Sequence, residues 1–223
     1  MPLEDRGDAQ VVAHPLARAT LTELRDESTG HVAFRESLRR LGHVCGTVLV
    51  EELFGGRERT VQTPLAETTG VAVDGAGDVV LVTVLRAAAP FVDGLLRVFP
   101  EARQGMVSAS RDESARRPDG SFPVEVDYVK LPEIGPADTV VVADPMLATG
   151  STLCAVLDRV AAAGTPRRTA VLAAVAAPEG LARVAEAAPD VTCLTVAVDD
   201  RLDDHGFIVP GLGDAGDRAF GTD

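Results

Sequence analysis

Between residues 140 and 160 the chain reads as a strand, a tight loop and a helix in immediate succession. Val140, Val141, Val142 and Ala143 are all apolar, as in a strand buried on both faces of a parallel sheet. The run ends at Asp144, and Pro145, Met146, Leu147, Ala148, Thr149, Gly150, Ser151 and Thr152 form a short loop of small and hydroxyl residues. Residues 153–163 then have helical character and stop before Gly164. The alternation recurs. Residues 79–85 are a second continuous apolar run, followed by a helix over 90–99 with Pro90 suited to its first turn. Residues 103–110, 124–130, 139–143, 170–175 and 191–198 read as strands, and 179–187 as another helix. Strands alternating with helices imply an α/β fold, a parallel sheet flanked by helices on both faces. Upstream, 14–50 reads mostly as helix, because Leu16, Leu21 and Leu24, then Phe34, Leu38 and Leu41, recur at helical spacing. Residues 60–64 suggest a short strand. The stretch from Arg111 to Phe122 is polar, charged and without period.

The loop's place dictates its chemistry. Backbone N–H groups at a helix start lack intrahelical partners and sit at the positive end of the helix dipole, so they suit a phosphate. Thr149, Ser151 and Thr152 can add hydroxyl donors. Asp144 would repel a phosphate, whereas a carboxylate at a strand end is well placed for sugar hydroxyls. A ligand carrying both a phosphate and a ribose fits the segment. The competing reading is that these residues only cap the helix, as in many such turns. The spacing Gly-x-x-x-x-Gly-Lys-Ser/Thr is absent, which argues against a nucleoside-triphosphate loop, and the absence of Gly-x-Gly-x-x-Gly argues against a dinucleotide site.

Asp144 to Thr152 resembles the phosphoribosyl-pyrophosphate loop of type I phosphoribosyltransferases. Most of that superfamily places two adjacent acids at the strand end; here the second position is Pro145, and Asp-Pro-Met-Leu-Ala-Thr-Gly is similar to the uracil phosphoribosyltransferase version. The run from Gly206 to Thr222 (Gly-Phe-Ile-Val-Pro-Gly-Leu-Gly-Asp-Ala-Gly-Asp-Arg-Ala-Phe-Gly-Thr) resembles that family's uracil-binding tail. Leu85-Arg86-Ala87 and Ala176-Ala177-Pro178-Glu179-Gly180 fit in the family's order, and the likeness extends from about His14 to the end.

The resemblance implies one phosphoribosyltransferase domain over 1–223, with N-terminal helices over 14–50, core strands and helices over about 79–198, and a tail over 199–223 that helps form a small hood. It implies transfer of a phosphoribosyl group from phosphoribosyl pyrophosphate to uracil, with magnesium carried by that substrate. Asp144 and Arg111 would be catalytic. Arg86, Arg111, Asp144, Pro145, Met146, Leu147, Ala148, Thr149, Gly150, Ser151, Thr152 and Asp214 would bind phosphoribosyl pyrophosphate. Ile208, Gly213, Asp214 and Ala215 would meet uracil, largely through the main chain. Arg116 or Arg117 could share the role of Arg111, and His205 is a candidate general base that no motif supports. Where many relatives have Leu-Arg-Ala-Gly, Arg86 is followed here by Ala87, Ala88 and Ala89. A homo-oligomer, dimer or tetramer, and a GTP effector also follow from the family. The alternative is a regulatory protein of the same fold that senses UMP or phosphoribosyl pyrophosphate.

Composition narrows the class. Of 223 residues 46% are hydrophobic, enough for an α/β domain with a small appendage. No apolar run approaches the roughly 18 residues of a membrane span and no leader pattern opens the chain, so a cytoplasmic location without membrane partners is expected. Cys45, Cys154 and Cys193 are widely spaced, which suggests inert thiols rather than a disulfide or zinc framework. The net charge of −13 argues against nucleic acid as a partner. A single lysine, Lys130, stands against 20 arginines, and with the acidic excess this points to a salt-loving source.

Overall fold

A computed structural model describes residues 3–111, 115, 117 and 120–222. The chain opens with an antiparallel pair, β1 (Leu3–Asp5) and β2 (Gln10–Val12), followed by helices α1 (Pro15–Arg25) and α2 (His31–Leu53). Pro15 fits the first turn of α1, and His14 Nδ1 accepts the Leu16 N–H at 3.2 Å. The helix expected over 14–50 is therefore two helices, broken where Asp26 ends α1 in extended conformation. Next come a hairpin of β3 (Gly56–Gln62) and β4 (Glu67–Val73), then β5 (Val79–Leu85), α3 (Ala89–Leu95), β6 (Arg103–Arg111) and β7 (Val124–Lys130). The chain continues through β8 (Thr139–Ala143), β9 (Met146–Leu147), α4 (Ser151–Ala163), β10 (Arg168–Ala176), α5 (Pro178–Ala187) and β11 (Thr192–Val198). It closes with β12 (Arg201–Leu202), β13 (Ile208–Val209) and α6 (Ala215–Phe220).

The main sheet runs β1-β2-β11-β10-β8-β5-β6-β7, parallel from β2 to β6 and antiparallel at both edges, with β9 pairing on β10. Strand period two divides the core. Val79, Leu81, Val141 and Leu172 join α1, α2, α3 and the C-terminal tail on one face. Val80, Val82, Val140, Val142 and Val171 meet Leu153, Val156 and Leu181 of α4 and α5 on the other. This is the layered α/β arrangement read from the sequence.

Two elements depart from expectation. The strand expected over 60–64 is one arm of the β3–β4 hairpin, whose β3 is exposed along its whole length. With no buried face it leaves little alternating pattern to read. The helix expected over 90–99 ends at Leu95, and the chain continues in tight turns closed by Arg97 N–H to Gly94 O and Val98 N–H to Leu95 O. α3 also touches α2 backbone to backbone. A Cβ at Gly94 would lie 2.0 Å from Arg39 O, and one at Gly42 would lie 2.0 Å from Phe91 O.

β5 and β8 are neighbours, but the chain leaves β5 through α3 toward β6 on one side and leaves β8 through α4 toward β10 on the other. The two helices cover opposite faces. The crevice at the carboxyl ends of β5 and β8 is thus the topological switch point, where open α/β sheets bind ligands.

Candidate functional site

A cavity of about 240 Å³ opens at that switch point. Arg86 follows β5, Asp144 follows β8, Arg111 ends β6, and the segment from β9 to the start of α4 forms the floor. Gly206, Phe207, Ile208, Asp214 and Gly216 of the tail form the far wall. Arg86, Arg111, Asp144, Met146, Leu147, Ala148, Thr149, Gly150, Thr152, Ile208 and Asp214, all singled out from the sequence, line this one space.

Asp144 is held at the strand end by its own backbone, with its N–H on Leu172 O at 3.1 Å and its Oδ1 accepting the Met146 N–H at 3.1 Å. Burial pushes its carboxyl up to about 6, partly opposed by the Met146 hydrogen bond and by the positive charge of Arg111. The carboxylate is therefore poorly solvated, and it titrates well above an ordinary aspartate.

The loop beneath is pressed against α5. Gly150 has φ of 78°, and a Cβ there would lie 2.8 Å from Gly180 O; a Cβ at Gly180 would lie 2.3 Å from Ala148 O. Arg183 Nε donates to Thr149 O at 2.8 Å, fixing the loop from behind. α4 starts at Ser151 with no side-chain cap, which leaves its N-terminal end suited to an anion. The Thr149 hydroxyl donates to Ser151 Oγ at 3.1 Å, and Ser151 Oγ also accepts the Phe122 N–H at 3.2 Å. The Ser151 side chain thus faces Phe122, while Thr152 lines the cavity. Pro145 stands back from the cavity, its carbonyl accepting the Ala174 and Val175 N–H groups at 3.0 and 3.1 Å.

The peptide bond between Leu85 and Arg86 is cis, as is that between Val209 and Pro210. Arg86 Nη2 contacts Asp217 Oδ1 at 3.1 Å and Thr222 Oγ1 at 3.4 Å, and its guanidinium lies 5.8 Å from the Phe220 ring centre. Arg86 therefore bridges the β5 end and the tail. Asp214 caps α6 through Oδ1 on the Asp217 N–H at 2.9 Å, and its residue also borders the cavity. Gly213 and Ala215 flank Asp214 outside the lining; Ala215 is fully buried in the core. His205 is exposed and does not line the cavity, although its neighbour Gly206 does. Arg117 borders a separate hollow with Cys154 and Asp158, and Arg116 lies outside the described residues.

The contacts that hold the tail join residues far apart in the chain and carry no local motif. Asp199, 6% exposed, accepts from Arg25 Nη1 and Nη2 at 2.9 and 2.5 Å and from the Gly211 N–H at 2.8 Å. Arg218 Nη1 donates to Leu24 O and Leu212 O at 2.5 and 2.7 Å, and its guanidinium lies 4.4 Å from the Phe34 ring centre. Both pairings join residues more than 170 positions apart. Phe122, in a stretch that reads as polar, is 3% exposed.

Burial raises all three thiols above the ordinary cysteine range. Burial pushes Cys45 up to about 12 and Cys193 up to about 11, and Cys154 is only half-buried. Among the described residues no helix is long and apolar enough to cross a membrane.

Comparison with known proteins follows the same lines. The family model described as uracil phosphoribosyltransferase matches residues 11–222. Proteins named uracil phosphoribosyltransferase from Natronomonas pharaonis and Haloarcula marismortui are each 58% identical over the full length of both chains. One of the same name from Thermococcus kodakarensis is 49% identical over 93% of this chain and 87% of its own. Among solved structures, the AQ2163 protein of Aquifex aeolicus superposes with a TM-score of 0.84 at 32% identity, covering 95% of this chain and 97% of that one. The adenine phosphoribosyl transferase of Trypanosoma brucei has a TM-score of 0.58 at 12% identity over 92% and 90% of the chains, a likeness of fold alone.

Proposed function

The chain belongs to the uracil phosphoribosyltransferase family, and from that premise we propose that it transfers the 5-phosphoribosyl group of phosphoribosyl pyrophosphate to uracil, giving UMP and pyrophosphate. The observation that carries the reading is the meeting, in one cavity, of a partly buried carboxylate held above its ordinary titration range, an uncapped helix start and two arginines.

The bond between N1 of uracil and the ribose anomeric carbon forms as the bond to pyrophosphate oxygen breaks, and the N1 proton passes to solvent. Positive charge develops on the ribose ring and negative charge on the leaving group. Asp144 accepts from ribose hydroxyls and, poorly solvated as it is, acts strongly on the ring's charge. The segment from Leu147 to Thr152 receives the 5′-phosphate on the start of α4. Arg86 and Arg111 offer two-pronged donors to pyrophosphate. The tail wall, through Ile208 and Asp214 on the cavity, presents main-chain groups to the uracil edge; the same role for Gly213 and Ala215, which flank Asp214 outside the lining, rests on the family resemblance. Catalysis is then mainly positioning and charge stabilisation.

Magnesium fits this donor set as an ion delivered by the substrate. Among the described residues no cluster of three or more His, Cys, Asp or Glu could hold a metal, while Asp214 borders the cavity and could share an ion that keeps pyrophosphate oxygens and water as its other ligands. When bound, the ion neutralises charge on the leaving group.

We further propose one domain over residues 1–223, a homo-oligomer (dimer or tetramer) as the working unit, and GTP as an effector; the last two rest on the family resemblance. A cytoplasmic location belongs to the same reading, and the charge of −13 with the single lysine supports salt adaptation.

The test is UMP formation from uracil and phosphoribosyl pyrophosphate with and without magnesium. Magnesium-dependent UMP, with little product from cytosine or hypoxanthine, is expected. Comparable turnover of hypoxanthine overturns the choice of base. Tight binding of UMP without turnover would instead favour a sensing protein.

A further inference from the structure

The β6–β7 connection returns to the sheet through Ser121 and Phe122, both buried despite their polar surroundings in sequence. Phe122 meets three separated parts of the cavity wall. Its ring lies beneath the Arg111 guanidinium, 5.5 Å from Cζ to the ring centre, within cation–π range. Its N–H donates to Ser151 Oγ at 3.2 Å, and that hydroxyl also takes the Thr149 hydroxyl at 3.1 Å. Its ring edge packs on Gly206, where a Cβ would lie 3.0 Å from Phe122 Cε2 and 3.5 Å from Thr149 Cγ2. Phe122 itself lies behind the wall and borders the separate hollow that Arg117 and Cys154 share.

From this geometry we infer that Phe122 is a positioning residue for the transfer reaction, holding the Arg111 guanidinium over the cavity and tying it to the phosphate-binding loop and the tail. The inference rests on the proposed role of Arg111. The physical case is that an arginine side chain has many rotamers, and ordering it costs entropy that a face-on ring contact offsets. A misplacement of about 1 Å at a reacting centre can cost roughly a hundredfold in rate. Arg111 is the last residue of its strand, and the Phe122 ring lies beneath its guanidinium. Two of the segments that Phe122 touches are those assigned to the 5′-phosphate and to the base. A displaced ring is thus expected to reach both substrates, with the larger effect on phosphoribosyl pyrophosphate.

A double-mutant cycle tests this, because a residue that acts through another loses its effect once the other is removed. The four proteins are the parent, Phe122→Leu, Arg111→Gln and the double variant, each assayed for kcat, for KM of both substrates and for melting temperature. Leu keeps an apolar side chain without a π face. Phe122→Leu is expected to lower kcat/KM for phosphoribosyl pyrophosphate by about tenfold and Arg111→Gln by about a hundredfold, with the double variant within about threefold of Arg111→Gln. If Phe122→Leu fails to fold, Phe122→Met, flexible and of similar bulk, takes its place with the same expectation. The inference is overturned if the two losses multiply in the double variant. It is equally overturned if Phe122→Leu lowers only the melting temperature while kcat and both KM values stay within twofold. Parent-like kinetics for Arg111→Gln alone would instead overturn the assigned role of Arg111, and the inference with it, a result distinct from either of the first two.

Discussion

Asp144→Asn should make the protein more stable and much less active, and the size of the first effect follows from burial. In the unfolded chain this carboxyl titrates near the ordinary 3.8, whereas in the fold it keeps its proton up to about 6. Between those values the native state binds more protons than the unfolded one, so its stability falls as pH rises through the interval. Above pH 6 the ionised form carries the full penalty. At about 1.36 kcal/mol for each tenfold in proton affinity, that is roughly 3 kcal/mol. Asparagine mimics the protonated acid and can still accept the Met146 N–H through Oδ1. At pH 8 the variant should therefore melt higher by about 6–12 °C, given about 2–4 °C per kcal/mol for a chain of this size. The gap should shrink toward zero by about pH 4, where both acid and amide are neutral. Turnover should fall at least a hundredfold, roughly 2.7 kcal/mol of barrier, because an amide offers no charge to the ribose ring. In the parent, kcat/KM for phosphoribosyl pyrophosphate should rise about tenfold per pH unit below 6 and level above it. The assay is a melting series from pH 4 to pH 8 on parent and variant, beside initial rates. A variant that melts no higher than the parent at pH 8, or a gap that does not change with pH, would refute the burial argument. Unchanged turnover would reduce Asp144 to a loop cap.

Three further outcomes are expected. Asp199→Ala removes the carboxylate shared by Arg25 and the Gly211 N–H, so it should cost about 3 kcal/mol in urea unfolding and raise KM for uracil more than KM for phosphoribosyl pyrophosphate; equal changes in both would show that the pair does not set the tail. Gly94→Ala places a methyl 2.0 Å from Arg39 O, so a loss of about 3 kcal/mol or more is expected, and wild-type unfolding midpoints would contradict the close helix contact. With 34 acidic residues against 21 cationic, melting temperature should climb from 0.05 M to 3 M potassium chloride as the Debye length falls from about 14 Å to below about 3 Å, and a flat series would make the acidic composition incidental.

The parts of the fold legible in the sequence are those whose signal is local. β5 and β8 have the bounds their nearly continuous apolar runs suggest, because a strand buried on both faces keeps polar residues few, here only Thr83 and Thr139. Asp144 and the loop after it were legible for a similar reason: strand end, loop and helix start are contiguous, so geometry follows from order. The β3–β4 hairpin was missed beyond residues 60–64 because exposed strands need no alternation. Phe122, Arg25, Asp199 and Arg218 were missed because their partners are far away in sequence; a lone Phe in a polar loop, or an Arg on a helix, looks the same whether it faces solvent or the tail. Ala215 shows the limit of motif reading. It sits beside the cavity wall, yet its side chain is in the core, so a charge placed there would disturb the fold before it reported on the base.

The glycine contacts between α2 and α3 set a manufacturing tolerance for the cavity. Gly42 under the Phe91 carbonyl and Gly94 under the Arg39 carbonyl bring the two backbones together at two points, one glycine from each helix, so a shift of either helix along the other would disturb both contacts. A slip of one residue would move α3 about 1.5 Å along its axis. α3 begins only a few residues beyond Arg86, and the Ala89 N–H closes on Arg86 O at 3.1 Å, so any such slip would be passed directly to that guanidinium. The long helix α2, remote from the chemistry, thus serves as the datum from which one wall of the cavity is measured. Positions 42 and 94 should for that reason be among the least tolerant of any side chain in the molecule, although neither comes near a substrate.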